Sequence, residues 1–259
     1  MSKVLAFIKK LLFGSLSILL FFIIWEAASR LNIINSAVVP APTTIFLALK
    51  DAAISGDLFR NFGISLQRVA SGFAIALLVS IPLGFLLGTF FKNVERALLP
   101  FLKMLEKLNP FALFPVFMIF FGIGSMEKIA IIFWVAQFPL LFHTIVGAKA
   151  VDVLLLKSAH SMGASKREIF LKVILPSAVP YIFTGIKIAA QIAFFMIIAS
   201  EYAGSSEGLG WFYLSSNQTY QINLSYGIVI FITIMSILVN VLFTKLEKHF
   251  LVWKESSFQ

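Results

Sequence analysis

Very few residues in this sequence are of a type and spacing that could support catalysis or metal binding. The chain of 259 residues contains no Cys, and its three His residues, His143, His160 and His249, are too far apart to suggest a zinc motif. It also lacks a GxxxxGK[ST] phosphate loop, so the chain is not expected to hydrolyse ATP by itself. No clustered nucleophile or acid–base residues appear either. The sequence therefore predicts no catalytic residue and no metal site.

Four polar residues are instead candidates for a translocation pathway or a gate. Lys187 is the only basic residue well inside an apolar segment, where an ionisable side chain usually faces a cavity or a partner, although it could equally extend toward the headgroups. Gln191 lies one helical turn further on the same face, so the two could line a polar path. Glu201 ends the same segment. Arg68, near the end of another, is a candidate partner for a carboxylate such as Glu201.

The elements that must position these residues are membrane-spanning helices. Hydrophobic residues make up 59% of the chain and charged residues only 13%, against about a quarter in soluble domains. A spanning helix needs about 20 mostly apolar residues. We therefore predict a single all-α membrane domain over residues 1–259, with six spans at approximately 11–30, 64–91, 108–126, 129–148, 177–200 and 224–244.

The segment 43–56 has a different pattern from the six spans. Pro40 and Pro42 stop any long helix before it, and Thr43 or Thr44 could cap a new one. Apolar residues then share one face, which predicts an amphipathic helix at the outer membrane surface. A re-entrant segment is the alternative.

The distribution of Lys and Arg predicts the orientation of the helices. With both termini in the cytoplasm, six crossings leave fifteen basic residues inside and five outside, with Lys187 uncounted. Membrane proteins concentrate Lys and Arg in their cytoplasmic loops, and this alone can account for the net charge of +9. The excess of positive charge therefore does not indicate a nucleic-acid partner.

The loop between the fourth and fifth spans, residues 151–176, is the most informative stretch. It is charged and contains two short helical patterns separated by Gly163, and Pro176 is predicted to open the following span. Two short helices that project from the basic side of a bundle form a docking site for another protein. We refer to this segment as the 151–176 loop.

The spacing within this loop resembles the cytoplasmic signature of type I ABC importer permeases. That signature is Glu-Ala-Ala, three residues, Gly, nine residues, Ile, one residue and Leu-Pro. The resemblance implies that the loop is a coupling helix that inserts into an ATPase subunit, with Lys157 in place of the usual Glu and Ser158 in place of the first Ala. The implied coupling residues are Lys157, Ser158, Ala159, Gly163, Ala164, Ser165, Val173, Leu175 and Pro176.

The resemblance extends from about Val39 to the C-terminus. Within the family, the sequence is similar to the branch that serves sulfonates, taurine, nitrate and vitamin precursors. The stretches that carry it are VVPAPTTIF, SLQRVASGFAIALLVSIPLGFLLG, NPFALFPVFMIFFGIG, AHSMGASKREIFLKVILPSAVPYIFTGIKIA and EYAGSSEGLGWF. Asn109 departs from the Pro that is usual in that branch. The resemblance implies a bacterial inner-membrane permease in membrane lipid, paired with a second copy of itself, two ABC ATPase subunits that bind ATP and Mg, and a solute-binding protein. No cofactor is expected in this chain.

The alternative function is a secondary transporter driven by an ion gradient. Such proteins usually place acidic or broken-helix coupling sites near the middle of the membrane. The predicted spans contain no carboxylate near their centres, which favours the importer. The sequence leaves the substrate open among a sulfonate or taurine, a nitrate-like anion and a vitamin precursor.

Overall fold

A computed structural model describes residues 16–17 and 19–250, and over these residues the chain is helical with short connections and no strand. Four helical stretches are long and apolar enough to cross a membrane: Asp57–Phe90, Ser125–Lys149, Lys166–Gly204 and Ile222–Phe250. They correspond to four of the six predicted spans. The first predicted span, 11–30, lies partly outside the described residues, which show a helix over 19–30.

The helices follow one another in a simple order along the chain. They are α1 (19–30), α2 (Pro42–Ile54), α3 (Asp57–Phe85), α4 (Lys92–Glu106), α5 (Pro110–Phe121), α6 (Ser125–Lys149), α7 (Val153–Ser161), α8 (Lys166–Ile169), α9 (Leu175–Gly204), α10 (Leu209–Gln218) and α11 (Ile222–Phe250). Single π-helical turns follow α3 at Leu86–Phe90 and α8 at Phe170–Ile174.

The described chain divides into two compact units. The first contains residues up to 61 together with 212–232, and the second contains residues 62–211 together with those from 233 onward. In the first unit, Gly227 of α11 lies against Leu49 and Ile45 of α2, and Glu26 of α1 accepts hydrogen bonds from the backbone and hydroxyl of Thr43. In the second unit lie all the candidate site residues.

The core of the second unit is formed by one face each of α3, α6 and α9. Its fully buried residues repeat at intervals of four on α6 and again on α9, which aligns them along the ridges of both helices. They are Ala76, Ile132, Ala136, Leu140, Ala189, Ala193 and Ile197. Several are Ala, and small residues let helix backbones approach closely in a membrane.

Glycines bring these helices still closer. A Cβ at Gly84 would lie 2.6 Å from the Cβ of Thr144, and one at Gly88 would lie 2.9 Å from the Cβ of Ala148. A Cβ at Gly185 would likewise lie 2.9 Å from the Cβ of His143. These positions therefore leave no room for a side chain. Gly84 and Gly88 have a packing role in the contact of α3 and its following π-helical turn with α6.

The third predicted span, 108–126, is not one continuous helix. The helix there, α5, has 12 residues and is therefore about 18 Å long, against about 30 Å of hydrocarbon. It ends at Gly122, whose φ of 73° leaves the helical region, and it meets α4 at an angle of 95°. The predicted span 108–126 combined α5 with the first residues of α6, although the turn at Gly122 and Gly124 separates them. An average of hydropathy over a window does not detect such a turn.

The α4–α5 pair nevertheless carries the chain along the full length of α6. Glu95, near the start of α4, binds Lys149 at the end of α6, whereas α5 leads directly into the start of α6. Because α6 has 25 residues, these two points are about 37 Å apart. The two helices meet the length and hydropathy requirement for a span only when they are taken together.

Pro176 lies in the first turn of α9, but no break in the helical backbone precedes that helix. The helical backbone runs without interruption from Lys166 through the π-helical turn into α9. The N–H of Leu175 bonds to the carbonyl of Phe170, five residues back, so the wider turn accommodates the proline ring and the missing N–H. The loop is thus joined rigidly to the long helix that follows it.

Candidate functional site: the two ends of helix α9

Helix α7 of the 151–176 loop is short but is capped at its N-terminus. The side chain of Asp152 accepts a hydrogen bond from the N–H of Leu154 at 2.8 Å, which satisfies one of the free donors of the first turn. An isolated helix of 9 residues is marginal in water. The cap therefore matters for holding α7 in shape.

The C-terminus of α7 is closed by a Schellman motif at Gly163. The N–H of Ala164 bonds to the carbonyl of Ala159 at 3.1 Å, and the N–H of Gly163 bonds to the carbonyl of His160 at 3.0 Å. Gly163 has φ of 74°, in the left-handed region that this motif requires and that glycine enters without strain. This is a physical reason for glycine at the central position of the signature.

The second half of the loop starts with a capping box. Ser165 precedes α8 and its hydroxyl accepts from the N–H of Glu168, while the Glu168 carboxylate accepts from the N–H of Ser165 at 2.9 Å. Val173 lies in the π-helical turn, and Leu175 and Pro176 begin α9. The signature positions therefore have different structural roles: Gly163 ends α7, Ser165 caps α8, and Leu175 and Pro176 begin α9.

The loop presents an apolar surface to its surroundings. Ala159 and Ile169 are buried and anchor the two helices, whereas Lys157, Ser158 and Ser165 are exposed. Four large apolar side chains of α7 and its C-cap are more than half exposed; they are Val153, Leu154, Leu155 and Met162. Exposed apolar groups on a capped helix are typical of a surface that another protein covers.

The opposite end of α9 carries a buried ion pair. The guanidinium Nη1 of Arg68 on α3 lies 2.8 Å from Oε1 of Glu201, and both side chains are at least 93% buried. Arg68 also donates from Nε to the hydroxyl of Ser125 at 3.1 Å and from Nη1 to the main-chain carbonyl of Glu207 at 3.0 Å. One guanidinium thus ties together α3, the start of α6, the end of α9 and the segment that follows it.

The Glu201 carboxylate is saturated with hydrogen-bond donors. Ser65 donates its hydroxyl to Oε2 at 2.7 Å, and the N–H of Gly210 at the start of α10 donates to the same atom at 3.1 Å. The partial positive charge at a helix N-terminus favours an anion there. A buried charge is tolerated only when paired and hydrogen-bonded, and Glu201 meets both conditions. We call Ser65, Arg68, Ser125 and Glu201 the Glu201 cluster.

The glycines of the sequence EGLG let the chain close over this carboxylate. Gly208 has φ of 105°, and a Cβ there would lie 2.2 Å from the carboxylate carbon of Glu201. A Cβ at Gly210 would lie 2.3 Å from the carbonyl oxygen of Ile198. Both positions therefore require glycine for space.

A second buried pair, which the sequence analysis did not identify, lies at the same end of α9. Lys128 and Glu127 are both fully buried at the start of α6, with Nζ and Oε2 3.0 Å apart. Lys128 also donates to the carbonyl of Gly204 at 2.8 Å, which places a cation at the C-terminus of α9. The sequence feature that could have indicated this pair is the presence of adjacent opposite charges directly after the Gly122–Gly124 turn.

Lys187 and Gln191 both have partners on α11. The Lys187 Nζ lies 3.6 Å from Oε2 of Glu247, and Gln191 donates from Nε2 to Oδ1 of Asn240 at 2.7 Å. The structure thus brings Arg68 and Glu201 together, but not with Lys187, Gln191 or the loop. Among the described residues, no three potential His, Cys, Asp or Glu metal ligands form a group.

Comparison with known proteins identifies the class. The family model for binding-protein-dependent transport system inner membrane components matches residues 80–251. The chain therefore belongs to this family of multi-pass membrane permeases.

The chain is similar over most of its length to several named permeases. It is 33% identical to SsuC of Bacillus subtilis, a permease protein assigned to aliphatic sulfonates transport, over 90% of this chain and 84% of that protein. It is 27% identical to the taurine transport system permease protein TauC of Escherichia coli over 93% and 88%. The formylaminopyrimidine transport permease protein ThiX of Halalkalibacterium halodurans is 28% identical over 93% and 95%.

Solved structures share the fold at lower sequence similarity. A chain of the inward-facing MetNI methionine ABC transporter matches with a TM-score of 0.65 at 17% identity, over 74% of this chain and 95% of that one. A chain of an amino acid ABC transporter crystallised with histidines matches with a TM-score of 0.61 at 15% identity, over 78% and 96%. The predicted all-α type I importer permease fold is thereby confirmed.

Proposed function

We propose that the chain is the membrane-spanning permease subunit of an ATP-driven importer for a small solute delivered by a solute-binding protein. Two copies of the chain form the pore, and two separate ATPase subunits bind ATP and Mg. Each ATPase subunit grips one 151–176 loop. Closure of the ATPases on ATP turns the pore outward, and hydrolysis resets it inward, as alternating rigid-body states biased by ligand binding.

The observation that carries this proposal is the form of the 151–176 loop. Both of its helices are capped, its apolar side chains are exposed, and its helical backbone continues without a break into α9. A partner that moves the loop would therefore move α9 with it. The signature positions from Lys157 to Pro176 supply the contact surface and the joint in this proposal.

The test is to isolate the chain from its native membrane in mild detergent and identify what accompanies it. We expect two permease chains and two subunits with a phosphate loop. The substitution Leu154→Asp on the exposed apolar surface should abolish the ATPase association. Val38→Asp, at a similarly exposed position in the first unit, should leave it intact. A chain that remains alone yet moves solute in vesicles without ATP would favour the gradient-driven transporter.

The proposed orientation places both termini and the 151–176 loop in the cytoplasm. The α4–α5 pair counts as one crossing, so the helix over 19–30, α3, α4–α5, α6, α9 and α11 make six. The Glu201 cluster then lies near the outer surface. Labelling of single cysteines at Ser158 and Ser36 with a membrane-impermeant reagent checks this assignment: from outside intact cells, only the second should react.

The proposed substrate class is an organic sulfonate. Both SsuC and TauC carry sulfonate substrates in their names, whereas ThiX carries a formylaminopyrimidine. The co-isolated binding protein provides the assay, because its melting temperature should rise with taurine or an alkanesulfonate and not with nitrate or a pyrimidine. A rise in melting temperature with the pyrimidine alone would instead indicate that the substrate is a vitamin precursor.

Lys187 and Gln191 are the proposed pathway residues, and Arg68 and Glu201 form the proposed outer gate. Lys187 and Gln191 follow one face of α9 and pair with polar residues of α11, so polar groups line the contact between these helices. We expect Lys187→Ala to lower transport by about tenfold with normal membrane insertion, since a lost charged contact is worth on the order of 1 kcal/mol or more. Equal losses of transport and insertion would indicate a structural role.

A further inference from the structure

A basic cavity lies between the 151–176 loop and helices α4 and α6, and Val153 lines both this cavity and the loop's exposed apolar surface. Its volume is about 340 Å³. Its walls come from the π-helical turn after α3, the start of α4, the end of α6 and the base of α7. Three of its lining side chains are cationic: Lys92, Arg96 and Lys149.

The cavity has an excess of positive charge. Lys149 is neutralised by Glu95, whose carboxylate lies 2.6 Å from Nζ and is almost fully buried. Neither Lys92 nor Arg96 forms an ion pair within the part of the chain that the structure describes. Two cations one turn apart on α4 therefore face the cavity with no carboxylate to balance them. An anion with more than one negative oxygen fits this arrangement.

Helix α4 places the cavity at the level of a membrane surface. Lys92, Arg96, Lys103 and Lys107 recur on one face of the helix, and the exposed side chains of Val94, Leu98 and Phe101 occupy the opposite face. This pattern is typical of a helix that lies in the interface.

We propose that this cavity binds a phosphate group, supplied either by an anionic phospholipid headgroup or by a free phosphate. Arg96 offers the planar fork of donors that suits phosphate oxygens, and Lys92 adds a point charge. Basic pockets between membrane helices bind phosphate headgroups in this way. The bound phosphate would contact the base of α7, where Val151, Val153 and Leu156 form the facing wall.

The test compares two variants that remove the same charge from the same face of α4. Lys92→Gln with Arg96→Gln empties the cavity of its free cations, whereas Lys103→Gln with Lys107→Gln removes two cations outside it. The full chain, with whatever subunits accompany it, is placed in nanodiscs of phosphatidylcholine with increasing phosphatidylglycerol. Bound lipid is counted by native mass spectrometry, and inorganic phosphate is titrated separately.

The unmodified chain should bind one phosphatidylglycerol or one phosphate saturably. The cavity variant should bind about 30-fold more weakly, corresponding to about 1 kcal/mol for each of two cations. The control variant should change by no more than a few-fold. Lipid that millimolar phosphate does not displace identifies a headgroup site, and displacement with direct phosphate binding identifies a free-phosphate site. Equal losses in both variants, or no saturable binding of either probe, would overturn the proposal.

A folding defect is separated from loss of the site by a second variant. Arg96→Lys keeps the charge and should retain most of the affinity, whereas Arg96→Gln should not, at unchanged melting temperature and gel-filtration profile. If the cavity variant binds lipid and phosphate normally but loses its ATPase subunits, the surface is a protein contact and the phosphate site is wrong. Neither binding assay depends on transport activity, so this test stands apart from that of the proposed function.

Discussion

The two ends of α9 differ in which side chains are buried and which are exposed. At the Glu201 cluster and at the neighbouring Glu127–Lys128 pair, charges are buried and matched by partners within the chain. At the 151–176 loop, large apolar side chains are exposed and the ion pair of Glu168 with Lys172 lies at the surface with 3.6 Å between its atoms. The 30 residues of α9 separate these regions by about 45 Å.

This difference indicates which region has all its side-chain partners within one chain and which leaves apolar surface for another protein. Burying a charge is expensive unless every lone pair and proton has a partner, so the Glu201 cluster holds only one arrangement well. The loop has satisfied its backbone through caps but has left its apolar side chains uncovered. Stability should therefore depend on the first region and association on the second.

The largest expected effect comes from breaking the buried ion pair. Glu201→Ala leaves the Arg68 guanidinium buried without its carboxylate, which should lower the free energy of unfolding by about 3–5 kcal/mol. Lys172→Ala, which removes the exposed pair of the loop, should change it by less than about 1 kcal/mol. Unfolding in detergent measures both. The double variant Arg68→Met with Glu201→Leu should recover part of the loss, and similar values for the two single variants would contradict the comparison.

The second comparison uses one glycine from each region. Gly208 and Gly163 both have positive φ, but only Gly208 lies against the Glu201 carboxylate. Gly208→Ala adds an overlap to the backbone strain and should cost about 3 kcal/mol, whereas Gly163→Ala should cost about 1 kcal/mol. The same unfolding assay distinguishes them. Equal costs would mean that the segment over Glu201 can move aside.

A smaller effect is expected from the cap of α7. Asp152→Ala removes the bond to the N–H of Leu154 and should destabilise α7 locally by about 1 kcal/mol. Faster amide hydrogen exchange confined to Val153–Ser161, with unchanged global unfolding, is the predicted result. Asn109→Ala, which removes the matching cap of α5, is the control and should leave exchange in α7 unaltered.

The smallest effect on stability is expected at Lys157, which is exposed. Lys157→Glu introduces the residue usual in the signature and should change the free energy of unfolding by less than about 0.5 kcal/mol. ATPase association should nevertheless weaken, because a partner suited to Lys157 would now meet a like charge. Lys166→Glu serves as a control of equal charge change. Stronger association of the Lys157 variant would mean that the partner retains a cationic groove.

Hydropathy and spacing in the sequence predicted the long spans and the corner at Gly163, because both leave local signals. The fold class and family were predicted through several motifs in order. Hydropathy did not predict the break after α5, since Gly122 and Gly124 interrupt a helix without lowering the average. It also did not predict the continuous helix through Pro176, which depends on a π-helical turn. The start of α3 at Asp57 was also missed, because polar residues precede its apolar part.

Side-chain pairing was the least predictable property. Arg68 could be named as a partner for Glu201 from their positions near span ends, but the donors Ser65 and Gly210 required the folded chain. Lys128 was counted among the five basic residues on the outer side of the membrane, and the count gave no sign that the fold buries it fully. Its partner Gly204 O lies 76 residues away, and no periodic pattern links two such distant positions.

The Arg68–Glu201 pair also imposes an order on biosynthesis. The two residues are 133 positions apart, so α3 emerges from the ribosome long before the helix that carries its carboxylate. Arg68 must meanwhile remain hydrated or near the headgroups, because a lone cation within hydrocarbon is expensive. Insertion of α9 then supplies Glu201 to Arg68 and the Gly204 carbonyl to Lys128, so both cations gain their final partners only at this late step.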